Sequence, residues 1–292
     1  MKRYFLSCLF FILSQDLVFA DGHYPDGAEG LKGASLPPPG TYLKWYNMFY
    51  TSDTTRDQNG NIINPAQNLQ SFATVPRFVW ISKQKFLGAD YGINSAIPLL
   101  EVNLKTGDIN QTKFSLGDIL IEQMLAWHTK SWDIVTATGL WLPAGNFDPN
   151  ASVNIGKGFW TGMYTFGATY YFDQKKTWHL SSLSRYQNNS RKSGIDIRPG
   201  SDFLVEWGLG RTINQNWNVG VTAYTHWQVT NDTGSAINYD ANVHTRYYAM
   251  GPEVNYFYQP AQTIFALRYQ KEFAAVNHTE GQNITFSFVV IF

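Results

Sequence analysis

Apolar and polar positions alternate along this chain in segments of about ten residues, repeated from Tyr42 to the C-terminal Phe292. Successive strand side chains point to opposite faces, so this period predicts sheet with one apolar and one polar side. Twelve such segments, each bounded by turn residues, can be marked. They are Thr41 to Ser52, Ser71 to Ser82, Asp90 to Leu104, Asp118 to Trp127, Trp132 to Leu142 and Trp160 to Phe172. The second half adds Trp178 to Gln187, Asp202 to Ile213, Trp217 to Val229, Arg246 to Tyr258, Thr263 to Phe273 and Asn283 to Phe292. The pattern is clearest in the ninth, where Trp217, Val219, Val221 and Trp227 oppose Asn218, Thr222, His226 and Gln228. Only the fourth, with Ile119, Leu120, Ile121, Met124 and Leu125, also reads as a helix.

The connections alternate too. Long polar stretches such as 53–70, 105–117, 143–159 and 188–201 take turns with short ones such as 128–131, 173–177 and 214–216. The short series has one longer member, 83–89. Outer-membrane barrels have short periplasmic turns and longer external loops. A soluble sandwich has no reason for such alternation. The predicted fold is therefore all-β: a transmembrane, antiparallel, up-and-down barrel of about 12 strands. Aromatics at segment ends, among them Trp160, Phe172, Trp217 and Trp227, suit girdles at the two membrane interfaces.

The chain ends fit that assignment. Lys2 and Arg3, the apolar run from Phe5 to Leu13, and Val18-Phe19-Ala20 form an export signal over residues 1–20. That run is shorter than the ~20 apolar residues a spanning helix needs. Cys8 after Leu6-Ser7 resembles a lipoprotein signal but sits inside the apolar core with too little apolar chain before it. At the other end, Phe286, Phe288, Val290 and Phe292 share one face. A barrel must pair its last strand with its first, because an open edge in lipid leaves backbone groups unsatisfied. The terminal aromatic also resembles the signal read by bacterial barrel-insertion machinery. The competing reading is a soluble β protein that happens to end in Phe.

Residues 21–40 stand apart, being too rich in Gly and Pro for regular structure. They read either as a flexible periplasmic tail or as a plug folded into the barrel mouth. In the second reading His23, Tyr24 and the stiff Pro37-Pro38-Pro39 run pack against the wall. The barrel proper then covers residues 41–292.

Composition supports the barrel and narrows the chemistry. The chain holds 10 Trp, 17 Tyr, 20 Phe and 24 Gly with only 15% charged residues, as strands with one greasy and one wet face require. With 22 basic and 22 acidic residues the net charge is zero, which argues against nucleic acid as a partner. No nucleophile elbow, metal spacing or phosphate loop is present, so neither a cofactor nor a metal is expected. His128 and Ser131 share a turn, and a solvated surface pair explains them better than catalysis. The protein is not expected to be an enzyme. Its expected partners are outer-membrane lipid and lipopolysaccharide, the insertion machinery through the last strand, and a small hydrophobic solute.

A charge facing lipid at mid-depth costs about 2–4 kcal/mol for Arg or Lys, so strand charges should face the lumen. Lys44, Glu101, Glu122, Arg185, Glu206, Glu253 and Arg268 are candidates on that ground. Tyr42, Tyr46 and Met48 share the face of Lys44, while Met163 and Tyr224 lie on the predicted inner faces of their segments. Arg77 is awkward because Val75 and Val79 share its face, and Arg211 shares the face of Leu209 and fits the rim. These charges line a pore or, alternatively, pair up and fill a narrow barrel. Aromatic and Met side chains among them suit a poorly soluble, partly aromatic solute.

Short motifs carry a family resemblance over essentially the whole chain after the signal. They are Glu29-Gly30, Pro38-Pro39-Gly40-Thr41-Tyr42, Leu116-Gly117-Asp118-Ile119, Ala126-Trp127-His128 and Leu142-Pro143-Ala144-Gly145. Tyr186-Gln187-Asn188-Asn189, Gly200-Ser201-Asp202-Phe203 and Gly251-Pro252-Glu253-Val254 complete the set. Together they resemble the outer-membrane proteins of the phenol meta-cleavage pathway. The resemblance implies a barrel encoded beside aromatic-catabolism genes that passes hydrophobic compounds in the manner of fatty-acid and toluene channels. It carries over no catalytic residue. The function expected is passive uptake of small hydrophobic or aromatic compounds, and the alternative is a structural or adhesive barrel whose external loops bind a partner.

Overall fold

The computed structural model describes residues 22–63 and 67–292. The export signal of residues 1–20 lies outside them. The first strands are β1 (Gly40–Ser52), β2 (Thr55–Arg56), β3 (Asn68–Phe86) and β4 (Ala89–Ala96). Next come β5 (Leu99–Thr106), β6 (Ile109–Leu116), β7 (Ile119–His128), β8 (Trp132–Leu142) and β9 (Thr161–Tyr171). Then follow β10 (Trp178–Asn189), β11 (Asp202–Thr212), β12 (Trp217–Gln228) and β13 (Arg246–Tyr258). A 3-10 turn, Gln259–Ala261, leads to β14 (Thr263–Val276), β15 (His278–Thr279) and β16 (Gln282–Ile291).

Twelve of these strands form a closed antiparallel barrel. Strands β7 to β14 pair one after another in sequence order, and β16 pairs with β14 on one edge and β1 on the other. In the closing seam Tyr42 stands opposite Ile291, and the Phe292 amide donates to the Thr41 carbonyl at 3.1 Å. No edge is left open in the hydrocarbon, as a bilayer requires. The helix-like fourth segment is strand β7.

The third segment departs from expectation. It breaks at Ile97-Pro98 into β4, which pairs with β3 and β7, and β5, which pairs with β3 and β6. Pro98 has no amide to donate, so the ladder to β7 cannot continue through it. The stretch 105–117, expected as a loop, contains β6, whose polar Asn110-Gln111-Thr112-Lys113 core hides its period. Thr106 faces Ile109 across a Gly107-Asp108 turn in which Gly107 has φ +52°, so the hairpin signal was present in the sequence. The long short-side connection also shrinks, because β3 runs on to Phe86 and leaves only Leu87 and Gly88 in the turn, both at positive φ.

Outward side chains are large and apolar, including Phe78, Trp80, Phe166, Leu209 and Leu267, all exposed. Aromatic clusters mark two levels. Trp132, Tyr170 and Phe172 meet near the short turns, with ring centroids 4.6 and 5.1 Å apart, and Trp217 meets Tyr256 at 4.6 Å. Phe203, Trp227, Tyr248 and Phe273 form the chain of rings near the long loops. A closed barrel with an apolar outer wall between two aromatic girdles is an outer-membrane protein of a Gram-negative cell.

Candidate permeation site

The interior contains the N-terminal segment. Residues 22–36 make hydrogen bonds to inward side chains of β1, β3 and β9 to β14. Small residues make room for the close approach. A Cβ on Gly208 of β11 would stand 2.5 Å from the Leu31 carbonyl oxygen, and Leu31 itself is fully buried. Of the plug candidates, His23 and Tyr24 are buried, whereas Pro38 and Pro39 are exposed and Pro37 only half-buried. The Pro run leaves the interior toward β1, and the Pro38 carbonyl accepts a 2.6 Å hydrogen bond from the Tyr42 hydroxyl.

Glu29 is the centre of a charged waist. Lys44 Nζ reaches its carboxylate at 2.7 Å, Arg77 Nη1 at 2.5 Å and Arg185 at 3.8 Å, and the Tyr46 hydroxyl donates at 3.3 Å. Burial alone would raise the Glu29 pKa, but the three cations outweigh it and hold the carboxyl well below the usual range. Arg77 also reaches Glu122 at 3.1 Å, and Arg185 pairs with Glu206, which accepts from the Tyr24 hydroxyl at 2.9 Å. The Arg185 guanidinium sits 3.8 Å from the Tyr24 ring centroid. Arg268 pairs with Glu253 at 2.6 Å and donates to the Gly27 carbonyl, while Glu253 accepts from the Leu31 amide at 3.2 Å.

The sequence candidates therefore fall as follows. Lys44, Tyr46, Glu122, Arg185, Glu206, Glu253 and Arg268 meet at this waist, joined by Arg77. Met48 and Met163 pack in an apolar cluster with Tyr24, Ala28, Val75 and Leu120. Tyr224 is buried and donates to Glu272 at 2.8 Å. Glu101 does not join them. It is exposed on the outer face of β5, opposite Val102, at the loop-side rim where an outward charge costs little. His128 of the turn pair bonds Asp133 at 2.9 Å instead of acting on Ser131.

Several residues were not foreseen. Asp118, in the turn between β6 and β7, accepts from the amides of Gly145 and Lys157 and contacts His23 Nε2, each at 2.8 Å. It ties the N-terminal segment to the loop 143–160. Asp26 sits against His226 Nδ1 at 2.9 Å and the Tyr247 hydroxyl. Their signal was weak: Asp26 belongs to a Pro-Asp-Gly turn that reads only as loop, and His226 is one of six scattered histidines.

Above the waist, on the long-loop side, opens a vestibule of about 740 Å³. Met48, Ala73, Leu100, Val102, Val153 and Ile155 make one wall apolar. Across from it stand Asp26, Tyr224, Tyr247, Glu272 and His278. A much smaller apolar void of about 30 Å³ lies below, between Pro25 and Ala28 of the segment and Val75, Ala96, Leu120 and Trp141 of the wall.

The fold is shared with the COG4313 outer membrane channel from Pseudomonas putida F1, at a TM-score of 0.79 and 13% identity, over 89% of this chain and 97% of that one. The beta domain of the Bordetella autotransporter BrkA is a looser likeness, with a TM-score of 0.53 and 10% identity over 86% of this chain and 100% of that one. Comparison with curated protein sequences finds no match. Residues 52–288 match the family model described as "Putative MetA-pathway of phenol degradation", and the chain belongs to that family.

Proposed function

We propose that the protein is a passive outer-membrane channel for small hydrophobic or aromatic compounds, plugged at rest by its own N-terminal segment. The observation that carries this reading is the vestibule, which offers an apolar wall inside a barrel open to the long-loop side. Binding pockets for organic solutes combine such walls with a few convergent polar groups. That the similar Pseudomonas putida protein is an outer membrane channel supports the same role. Among the described residues the charges of the waist are paired with one another and with the segment, an arrangement that suits packing and passage. Lipopolysaccharide surrounds the loop-side rim, and the terminal aromatic of the last strand serves the insertion machinery.

The test is uptake of phenol and benzoate, against arabinose, by cells whose outer membrane carries the protein. Aromatic uptake is expected to exceed that of cells lacking it, with arabinose little changed. Equal gains for all three, or none, would remove the assignment. A second reading, a structural or adhesive barrel with partner-binding loops, is favoured by the charge-filled waist, and absence of any gain would support it.

A further inference from the structure

The cations of the waist are paired, yet two on the outer wall are not. Arg246 of β13 and Lys271 of β14 are exposed, and neither has a carboxylate, carbonyl or ring partner among the described residues. Both face the bilayer. Arg246 stands opposite Trp227 of the loop-side girdle, and Lys271 stands opposite the exposed Met250. Residues directly opposite on paired strands share a face, so both cations project from the outer wall. At the turn-side rim, by contrast, Arg211 lies over the Trp178 ring at 5.3 Å.

The two cations bracket the girdle. Between them lie Tyr248 and Phe273, opposite each other across the strands with ring centroids 6.0 Å apart. Arg246 is the next outward position above Tyr248, and Lys271 the next below Phe273. Along β14 the outward order from the hydrocarbon upward is Leu267, Tyr269, Lys271, Phe273. At about 3.4 Å per residue and a tilt of about 40°, the steps from Thr263 to Lys271 climb roughly 20 Å. The apolar band of such barrels is about 25 Å tall, so the Lys271 backbone stands near its upper border. From there the stem runs along the wall and lifts the ammonium toward the interface, where an anion is its natural partner.

We propose that the outer face of β13 and β14 binds lipopolysaccharide, with lipid A phosphates held by Arg246 and Lys271 and acyl chains laid on Met250 and Leu267. A guanidinium takes a phosphate through paired N–H donors, and an ammonium adds a compact point charge. The two lie about 13 Å apart along the strand direction, and so at different heights. That spread suits a lipid with more than one phosphate better than a glycerophospholipid with a single one. The site rests on the loop-side lipopolysaccharide rim of the reading above and is independent of the solute that passes.

The test is native mass spectrometry of the purified full barrel in detergent. It would be titrated with bisphosphorylated lipid A, dephosphorylated lipid A and dioleoylphosphatidylglycerol. Bisphosphorylated lipid A is expected to bind about tenfold more tightly than either of the others. Arg246→Gln and Lys271→Gln should each weaken it about fivefold, and together more than either alone. Lys271→Arg, which keeps the charge, and Arg211→Gln at the opposite rim should leave it unchanged. Equal or tighter binding of either control lipid, or unchanged lipid A binding in the double variant, would overturn the site. So would a double variant whose one change is dissociation of a dimer, which would make this face an interface between copies. The lipid comparison uses the unaltered chain and decides the site even if a variant misfolds. Aromatic uptake is a separate readout, so loss of the channel assignment would leave this result standing.

Discussion

The two halves of the inner wall differ sharply in what they do. From β10 to β14 the inward positions include Gln187, Glu206, His226, Glu253 and Arg268, each of which bonds the N-terminal segment. The arc of β3, β4, β7 and β8 turns Val75, Val79, Ala96, Leu120, Met124 and Val135 inward and mostly packs, with Arg77 and, at the start of β7, Asp118 as its bonds to the segment. The first half fixes the segment by charge-assisted bonds, which are directional and fail when one partner is lost. Apart from Arg77 and Asp118, the second half fits it by shape, which degrades gradually. A segment held mostly by charge on one side and mostly by packing on the other would yield first along the packed side.

Substitutions sharpen that difference. The largest effect belongs to Glu29→Gln, which leaves Lys44, Arg77 and Arg185 without their shared anion. Loss of one member of a buried ion pair costs about 3–5 kcal/mol. The segment is expected to become open to protease while the barrel still resists unfolding in sodium dodecyl sulfate at room temperature. On the packed side, Leu120→Ala should cost about 2–3 kcal/mol, the low end for such truncations because the site already borders a void. Here the urea midpoint of the whole barrel should fall without selective release of the segment. Release of the segment by Leu120→Ala, and not by Glu29→Gln, would invert the roles given to charge pairing and to packing. Gly208→Val is expected to cost about 1–3 kcal/mol by pressing on the Leu31 backbone. Its readout is a higher rate of segment cleavage in limited proteolysis.

Acid gives the most graded effect. Glu29 is held below its ordinary value of 4.5 when the segment is docked and returns to it when released. A depressed carboxyl contributes stability that is fully present above 4.5 and is lost as pH falls below it. Protease protection of the segment should therefore be flat from pH 8 to about pH 5 and decline below 4.5. A decline beginning near neutrality would assign the lock to a histidine instead.

Most of the barrel was legible in the sequence because a lipid-facing strand must alternate, and loops of two lengths must sit at opposite rims. The segments Trp132–Leu142 and Arg246–Tyr258 match their strands to the residue. Arg77 was not legible for a physical reason. Its inner-face neighbours Val75 and Val79 are apolar because the lumen there is a packed core against the N-terminal segment, so both sides of the strand are dry. The hairpin of β5 and β6 is hidden because the apolar alternation continues on both sides of Pro98 and the polar run after the Gly107-Asp108 turn resembles a loop. Glu101 departs from the inward expectation because it sits at the rim, where the mid-membrane cost of an outward charge no longer applies. The partners of the N-terminal segment lie 15 to 241 residues away in sequence, most of them beyond 90, and no local pattern encodes such pairings.

Removing residues 22–36 while keeping the export signal and the barrel tests the central claim most directly. Uptake of arabinose and phenol by cells bearing the shortened and the full protein would be compared. The plugged-channel reading predicts that the full protein favours phenol and that the shortened one admits both, arabinose rising severalfold. Arabinose uptake that stays at the level of the full protein would contradict it.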